Sequence, residues 1–154
     1  MNLEEKVAYL LDRLAIEDQV KEYARLIDRK GFDELNRVFT DDAWVDYTAS
    51  GGEAGTLQEM TLFLKRSMKR VRSQHLMSNV ECQLAPDGRS AKTVHMLFNP
   101  MTRDTRAGEY TFFCGLWYHS DWIKTPEGEW KMTRTVQERS YAYYRPLPPS
   151  APKD

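Results

Sequence analysis

Cysteine is nearly absent: Cys82 and Cys114 are the only two in 154 residues. Both fall on predicted strands without CxxC spacing, so a disulfide framework or a thiolate zinc site has no basis, and both are expected to be buried thiols. Long apolar runs are missing too. No stretch approaches the ~20 consecutive apolar residues of a membrane span, and the opening Met1-Asn2-Leu3-Glu4-Glu5-Lys6 is polar and acidic where a signal peptide is basic and then apolar. A cytoplasmic protein with no membrane partner is expected. Nor is there an excess of one charge: 22 Lys and Arg face 23 Asp and Glu, for a net charge of -1. Without a basic field or a base-reading motif, nucleic acid is not an expected partner. The cofactor motifs GxGxxG and GxxxxGK[ST] do not occur, and the three histidines, His75, His95 and His119, lack metal-ligand spacing. No cofactor and no metal are expected.

What remains is an ordinary folded chain. Apolar residues make up 41% and charged residues 29%, and a domain of this size buries roughly 70% of the surface its unfolded chain exposes. One domain over residues 1–144 suffices. The following Arg145–Asp154 segment holds four of the seven prolines and reads as an extended arm. Leu3, Val7, Leu10, Leu11 and Leu14 recur at helical spacing, and Ile16, Val20, Tyr23, Ala24 and Ile27 continue it, predicting two consecutive helices or one bent helix that stops at Lys30-Gly31. A short helical piece follows through Phe39, ending at Thr40-Asp41-Asp42. Trp44–Thr48 reads as a strand, and Thr56-Leu57-Gln58-Glu59 has the form of a capping box that opens a helix to about Arg70.

The period then changes to two. Ser73–Leu84 and Ser90–Asn99 form a predicted hairpin, Pro100–Arg106 a polar loop, and Glu109–Ile123 with Glu129–Tyr144 a second, aromatic-rich hairpin. Helices first and long strands last give an α+β fold: a cone-shaped curved antiparallel sheet, a half-barrel, whose concave face is covered by the N-terminal helices. A cone packed at its narrow end leaves a cavity at the open one, where a few polar side chains carry the chemistry. The basic run Lys65–Arg72 carries Leu64, Met68 and Val71 at helical spacing and reads as the solvated face of a surface helix.

Asp28 ends the helical pattern, and spacing alone fits an exposed carboxylate paired with Arg25 or Lys30. His75 on a predicted strand reads, by itself, as a hydrogen-bonded structural residue more readily than as a base. An Asp on one ring nitrogen, however, fixes the tautomer and leaves the other free for proton transfer near neutral pH. Aromatics including Phe112 and Trp117 are candidates for the lining of an apolar pocket, and His95 shares its strand face with Asn99.

The stretch Tyr23-Ala24-Arg25-Leu26-Ile27-Asp28-Arg29-Lys30-Gly31-Phe32-Asp33-Glu34-Leu35, followed by Phe39-Thr40-Asp41-Asp42-Ala43, resembles the opening of SnoaL-like proteins of the NTF2-like superfamily. Gln74-His75, Gly115-Leu116-Trp117 and Thr125–Met132 are similar to later segments of that family, in the same order. The resemblance implies a homodimer or homotrimer and a small hydrophobic organic ligand. Its functional models, scytalone dehydratase, hexachlorocyclohexane dehydrochlorinase and bile acid 7α-dehydratase, imply a cofactor-independent lyase with an Asp–His pair at Asp28 and His75. By the same resemblance Tyr23, Tyr47 and Arg139 join the catalytic set, and Asn99 takes the place of a strand Asp, so it can exchange hydrogen bonds but not protons. His95, Trp117 and Phe112 complete the expected substrate-binding set. An isomerase of steroid-like or polyketide-like ketones using the same base, and a binding module without catalysis, are the alternatives.

Overall fold

The structure, a computed structural model, describes residues 1–144; the proline-rich arm expected at 145–154 lies outside the described residues. The N-terminal helical pattern forms one unbroken helix, α1 (Leu3–Asp28), opened by a capping box between Asn2 and Glu5. Ala15 interrupts the apolar rhythm without breaking the helix, because alanine is the strongest helix former. Only the second half of α1 enters the core: Ile16, Val20, Tyr23, Leu26 and Ile27 are buried, while Leu3, Val7, Leu10, Leu11 and Leu14 are exposed.

The helix stops as the sequence indicates, with one change of residue. Gly31 N–H donates to Leu26 C=O at 2.8 Å and Lys30 N–H to Ile27 C=O at 3.1 Å, the paired bonds of a Schellman stop. Yet the left-handed position belongs to Lys30, at φ 60°, not to the glycine. This stop holds Asp28 in the last turn, next to the sheet.

A 3-10 turn (Phe32–Arg37) leads into β1 (Phe39–Asp46), which is longer than expected and begins inside the segment read as helical. There follow β2 (Ala54–Thr56), α2 (Leu57–Ser67), β3 (Val71–Ser73), β4 (Leu76–Leu84), β5 (Ser90–Thr105), β6 (Gly108–Lys124) and β7 (Trp130–Tyr144). The strand order is β2-β1-β7-β6-β5-β3, with β4 also pairing β5. All pairings are antiparallel except β1 with β7, so the half-barrel sheet is mixed.

The expected polar loop at Pro100–Arg106 is instead, up to Thr105, the last part of β5, and only Arg106 falls in the turn that follows. Proline lacks the ladder N–H, and Pro100 falls where one partner gives way to another: Leu76 of β4 pairs Phe98, and Ser73 of β3 pairs Met101. The residues between those partners, Gln74 and His75, lie outside both strands. Trp122, Trp130, Tyr118, Phe39, Ile16 and Met60 fill the core between α1, α2 and the concave face. Each contributes of order 1.5–3 kcal/mol through burial.

Candidate active site

A cavity of about 250 Å³ remains at the wide end of the cone, lined from α1 by Tyr23 and Ile27, from the β1–β2 connection by Tyr47 and Ser50, and from the sheet by Asn99 and Tyr118 among others. His75 enters it from the break between β3 and β4. Because the chain leaves the ladder there, the His75 backbone N–H is free to donate to Asp28 Oδ2, at 2.8 Å. The other carboxylate oxygen, Oδ1, lies 2.6 Å from His75 Nδ1 and accepts from Ser73 Oγ at 2.7 Å. Burial by itself would raise the Asp28 carboxyl, but the ring, the backbone amide and the Ser73 hydroxyl outweigh it and hold its pKa below the usual value.

An ionised carboxylate only accepts, so Nδ1 of a neutral His75 carries the proton and the lone pair resides on Nε2. Asn99 Nδ2 is 3.3 Å from that nitrogen, which fixes the direction of the amide: Nδ2 donates. Asn99 Oδ1 then has no donor among the described residues, although Asn99 is only 3% exposed.

Opposite the imidazole stands a group of buried tyrosines. Tyr23 Oη and Tyr47 Oη are 2.7 Å apart; the Tyr23 ring meets His75 edge-on at 6.4 Å and Tyr118 at 5.9 Å. Gln137 Nε2 donates to Tyr118 Oη at 2.7 Å, and Ser50 Oγ donates to Gln137 Oε1 at 2.5 Å. Burial pushes all three phenols above their ordinary pKa; Tyr118 adds to the rise at Tyr23 and Tyr47, whereas the hydrogen bonds of Tyr118 with Tyr23 and Gln137 only partly offset its own. They are neutral hydroxyls at any physiological pH. The Cys114 thiol in the same wall is likewise pushed up by burial.

The nine residues singled out by sequence separate into two groups. Asp28, His75, Tyr23, Tyr47 and Asn99 converge as described, Phe112 lines the cavity, and Arg139 stands at its edge, exposed. Tyr23 and Asp28, ~140° apart on a regular helix, reach His75 from two sides: the phenol from within the cavity, the carboxylate from the helix end.

Two placements differ from the expectation. Trp117 pairs with Met96 and Glu138 on the opposite face of the sheet, because β6 directs Phe112, Cys114, Leu116 and Tyr118 inward. His95 does share the concave face with Asn99, but it stacks on Tyr118 at 5.2 Å and so lies behind the cavity wall. Tyr118, one of the strand aromatics that could line a pocket, also lines the cavity, as do Gln137, Ser50 and Arg103, which the sequence did not single out. Gln137 was within reach, since it shares strand parity with Arg139. Among the described residues no cluster of His, Cys, Asp and Glu is arranged to hold a metal, and no helix is long and apolar enough to cross a membrane.

The comparisons agree with this architecture. Residues 8–136 match the family model of the SnoaL-like domain. An uncharacterized protein of Mycobacterium tuberculosis (strain ATCC 25618 / H37Rv), Rv2910c, is 36% identical over 138 residues, covering 88% of this chain and 90% of its own. Among solved structures, a scytalone dehydratase candidate from Novosphingobium aromaticivorans DSM 12444 is similar with a TM-score of 0.79 at 18% identity, covering 96% of each chain. The hexachlorocyclohexane dehydrochlorinase LinA-type3 from Novosphingobium barchaimii LL02 is similar with a TM-score of 0.74 at 17% identity, covering 91% of this chain and 94% of its own. At such identities these structures speak for the fold alone. The family model and the mycobacterial relative go further: this chain belongs to the SnoaL-like family.

Proposed function

We propose that this protein is a cofactor-independent lyase that eliminates water, or a comparable leaving group, from a small and largely apolar substrate, with His75 as the base. The observation that carries this reading is the Asp28–His75 contact at 2.6 Å at the wall of an apolar cavity. It orients the ring, leaves the Nε2 lone pair toward the ligand, and stabilises the imidazolium once a proton is taken. The neutral Tyr23–Tyr47 hydroxyl pair, one proton of which is taken up in their mutual bond, supplies a hydrogen-bond donor across the cavity for the oxygen or leaving group that gains charge. General acid–base terms of this kind contribute roughly 10²–10⁴-fold in rate.

Asn99 adds a second function. Its Nδ2 caps the resting lone pair, and after proton transfer a rotated amide can present Oδ1 to the new Nε2–H, so one side chain serves both protonation states. The exposed apolar residues on the first half of α1 and on the outer sheet face, Phe98 and Tyr143 among them, support a homo-oligomeric assembly of the kind the family resemblance implies.

The test is to incubate the protein with a panel of cyclic β-hydroxy ketones and vicinal chlorohydrocarbons in D2O and to follow them by NMR. Elimination yields the unsaturated product. Deuterium gain without loss of water or chloride selects the isomerase reading, which uses the same base. His75→Ala should abolish either reaction while the fold is retained; a variant that keeps turnover overturns the mechanism.

A further inference from the structure

The cavity lining contains two arginines, Arg103 and Arg139, and no carboxylate. Beside it, sharing Ser67 and Arg103, lies a more open hollow of about 350 Å³ that collects five basic side chains, Arg66, Lys69, Arg70, Arg103 and Arg106, against the single acid Asp104. In a chain of net charge -1 this is a local concentration of positive charge. Most of it is uncompensated. Arg66 is occupied by Glu53 at 2.8 Å, and Asp104 is drawn to Arg72, which also holds Glu109. Lys69, Arg70, Arg103 and Arg106 take part in none of the ion pairs among the described residues.

A run of exposed cations is by default a solvated surface, and for Lys69 and Arg70, in the turn that follows α2, that description would suffice. Arg103 does not fit it. It comes from β5, it forms part of the wall of both hollows, and its Nε is buried with no acceptor among the described residues. An enclosed guanidinium N–H without a partner costs free energy that a bound anion would recover.

We infer that the ligand of this site is an amphiphilic anion, whose apolar body occupies the cavity beside His75 and whose carboxylate- or phosphate-bearing arm crosses Arg103 into the basic hollow. This rests on the cavity being the ligand site, as proposed above, but not on any turnover there. Guanidinium groups bind either oxyanion in a bidentate manner. Three further cations around the hollow suit a multiply charged phosphate better than a single carboxylate.

Binding of three related probes, neutral 2-naphthol, 2-naphthyloxyacetate and 2-naphthyl phosphate, measured by calorimetry at low and at high salt, decides the matter without a reaction. The two anions should bind at least about tenfold more tightly than naphthol at low salt, since hydrogen bonds to charged groups contribute about 1.5–3 kcal/mol, and added salt should shrink the gap. Arg103→Gln should remove most of the preference, and Arg103→Lys, which keeps the charge, should restore part of it. In Arg70→Gln/Arg106→Gln, a selective loss of phosphate affinity identifies a phosphorylated arm. An unchanged oxyacetate preference there, with no extra affinity for phosphate in the parent, identifies a carboxylate held by Arg103. Equal affinities for all three probes overturn the inference, as does a preference that survives Arg103→Gln and disappears in Arg139→Gln. Neither result touches the test of elimination, which reads product formation.

Discussion

His75 and His95 show how one residue type takes opposite parts in the same sheet. His75 has an acid on one ring nitrogen and an amide donor on the other. His95 is 1% exposed, its Nδ1 has no partner among the described residues, and burial, followed by the charge of His119, lowers its pKa to about 4. Below about pH 6.5 the unfolded chain protonates this imidazole while the folded one resists until about pH 4, so its contribution is fully present above the unfolded value and fades as pH falls through that window. The shift corresponds to roughly 3 kcal/mol. His95→Phe, which preserves a ring against Tyr118, should therefore flatten the loss of stability between pH 6.5 and 4 in denaturant titrations; an unaltered slope would show that His95 is not the source. Asp28 has the same sign at lower pH. Its carboxylate is held below the ordinary value, and the stability it adds is lost as pH falls through its folded pKa.

Much of this was legible at the residue scale, though unevenly. The resemblance paired Asp28 with His75, and the fold brings the two together. Trp117 could have been set aside by arithmetic alone, since Phe112 and Trp117 are separated by an odd number and a regular strand sends them to opposite faces. Depth was not legible. His95 and Asn99 have equal parity, and only the packing of Tyr118 decides that one lines the cavity and the other lies behind it.

At the scale of elements, the outcome turned on ends and irregularities more than on periodicity. The strand pattern continued through Gln74-His75 in the sequence, whereas the chain leaves the ladder there because β5 changes partner at Pro100. That break is what frees the His75 amide for Asp28. Arg134 and Arg139 of β7 are separated by an odd number, and they take opposite faces because the irregularities of β7 fall on either side of that interval, between the partners of Asp121 and Trp122 and between those of Gly115 and Leu116. The stop of α1 is a site of mild strain. Lys30 sits at φ 60°, a region that costs a side-chain-bearing residue about 1–2 kcal/mol. Its Nζ makes only an exposed 3.3 Å contact with Lys69 C=O. Lys30→Gly should raise thermal stability, by up to about 1 kcal/mol after glycine's unfolded-state entropy is counted. A fall in Tm would mean that the ammonium is worth more than the strain.

On the scale of the whole molecule, the first helix and the last hairpin share one apolar core, and a polar tie joins them as well. Asp12 Oδ1 accepts from Trp130 Nε1 at 3.0 Å and lies 2.6 Å from Lys124 Nζ, joining the middle of α1 to the β6–β7 turn region across more than a hundred residues of chain. Trp130 is 1% exposed, and removing its acceptor strands a buried N–H. Asp12→Ala should cost about 1–3 kcal/mol. Removal of residues 1–10, none of them buried, should cost less; the reverse order in urea titrations would place the anchor of α1 in its first turns. The general architecture, helices first and a curled sheet closing around a cavity, was readable from the change of period alone. The parallel pairing of β1 with β7 was not, because a short strand isolated between helices carries no mark of its partner.

The account depends on an imidazole whose proton is on Nδ1, held by Asp28, with its lone pair on Nε2 at the cavity wall. Nitrogen-15 NMR of the histidine side chains near neutral pH reads that state directly. The neutral His75 should show a protonated Nδ1 and an unprotonated Nε2 in the parent protein, and Asp28→Asn should abolish that bias. A neutral His75 protonated on Nε2, or one that averages freely between tautomers with Asp28 intact, would contradict the account.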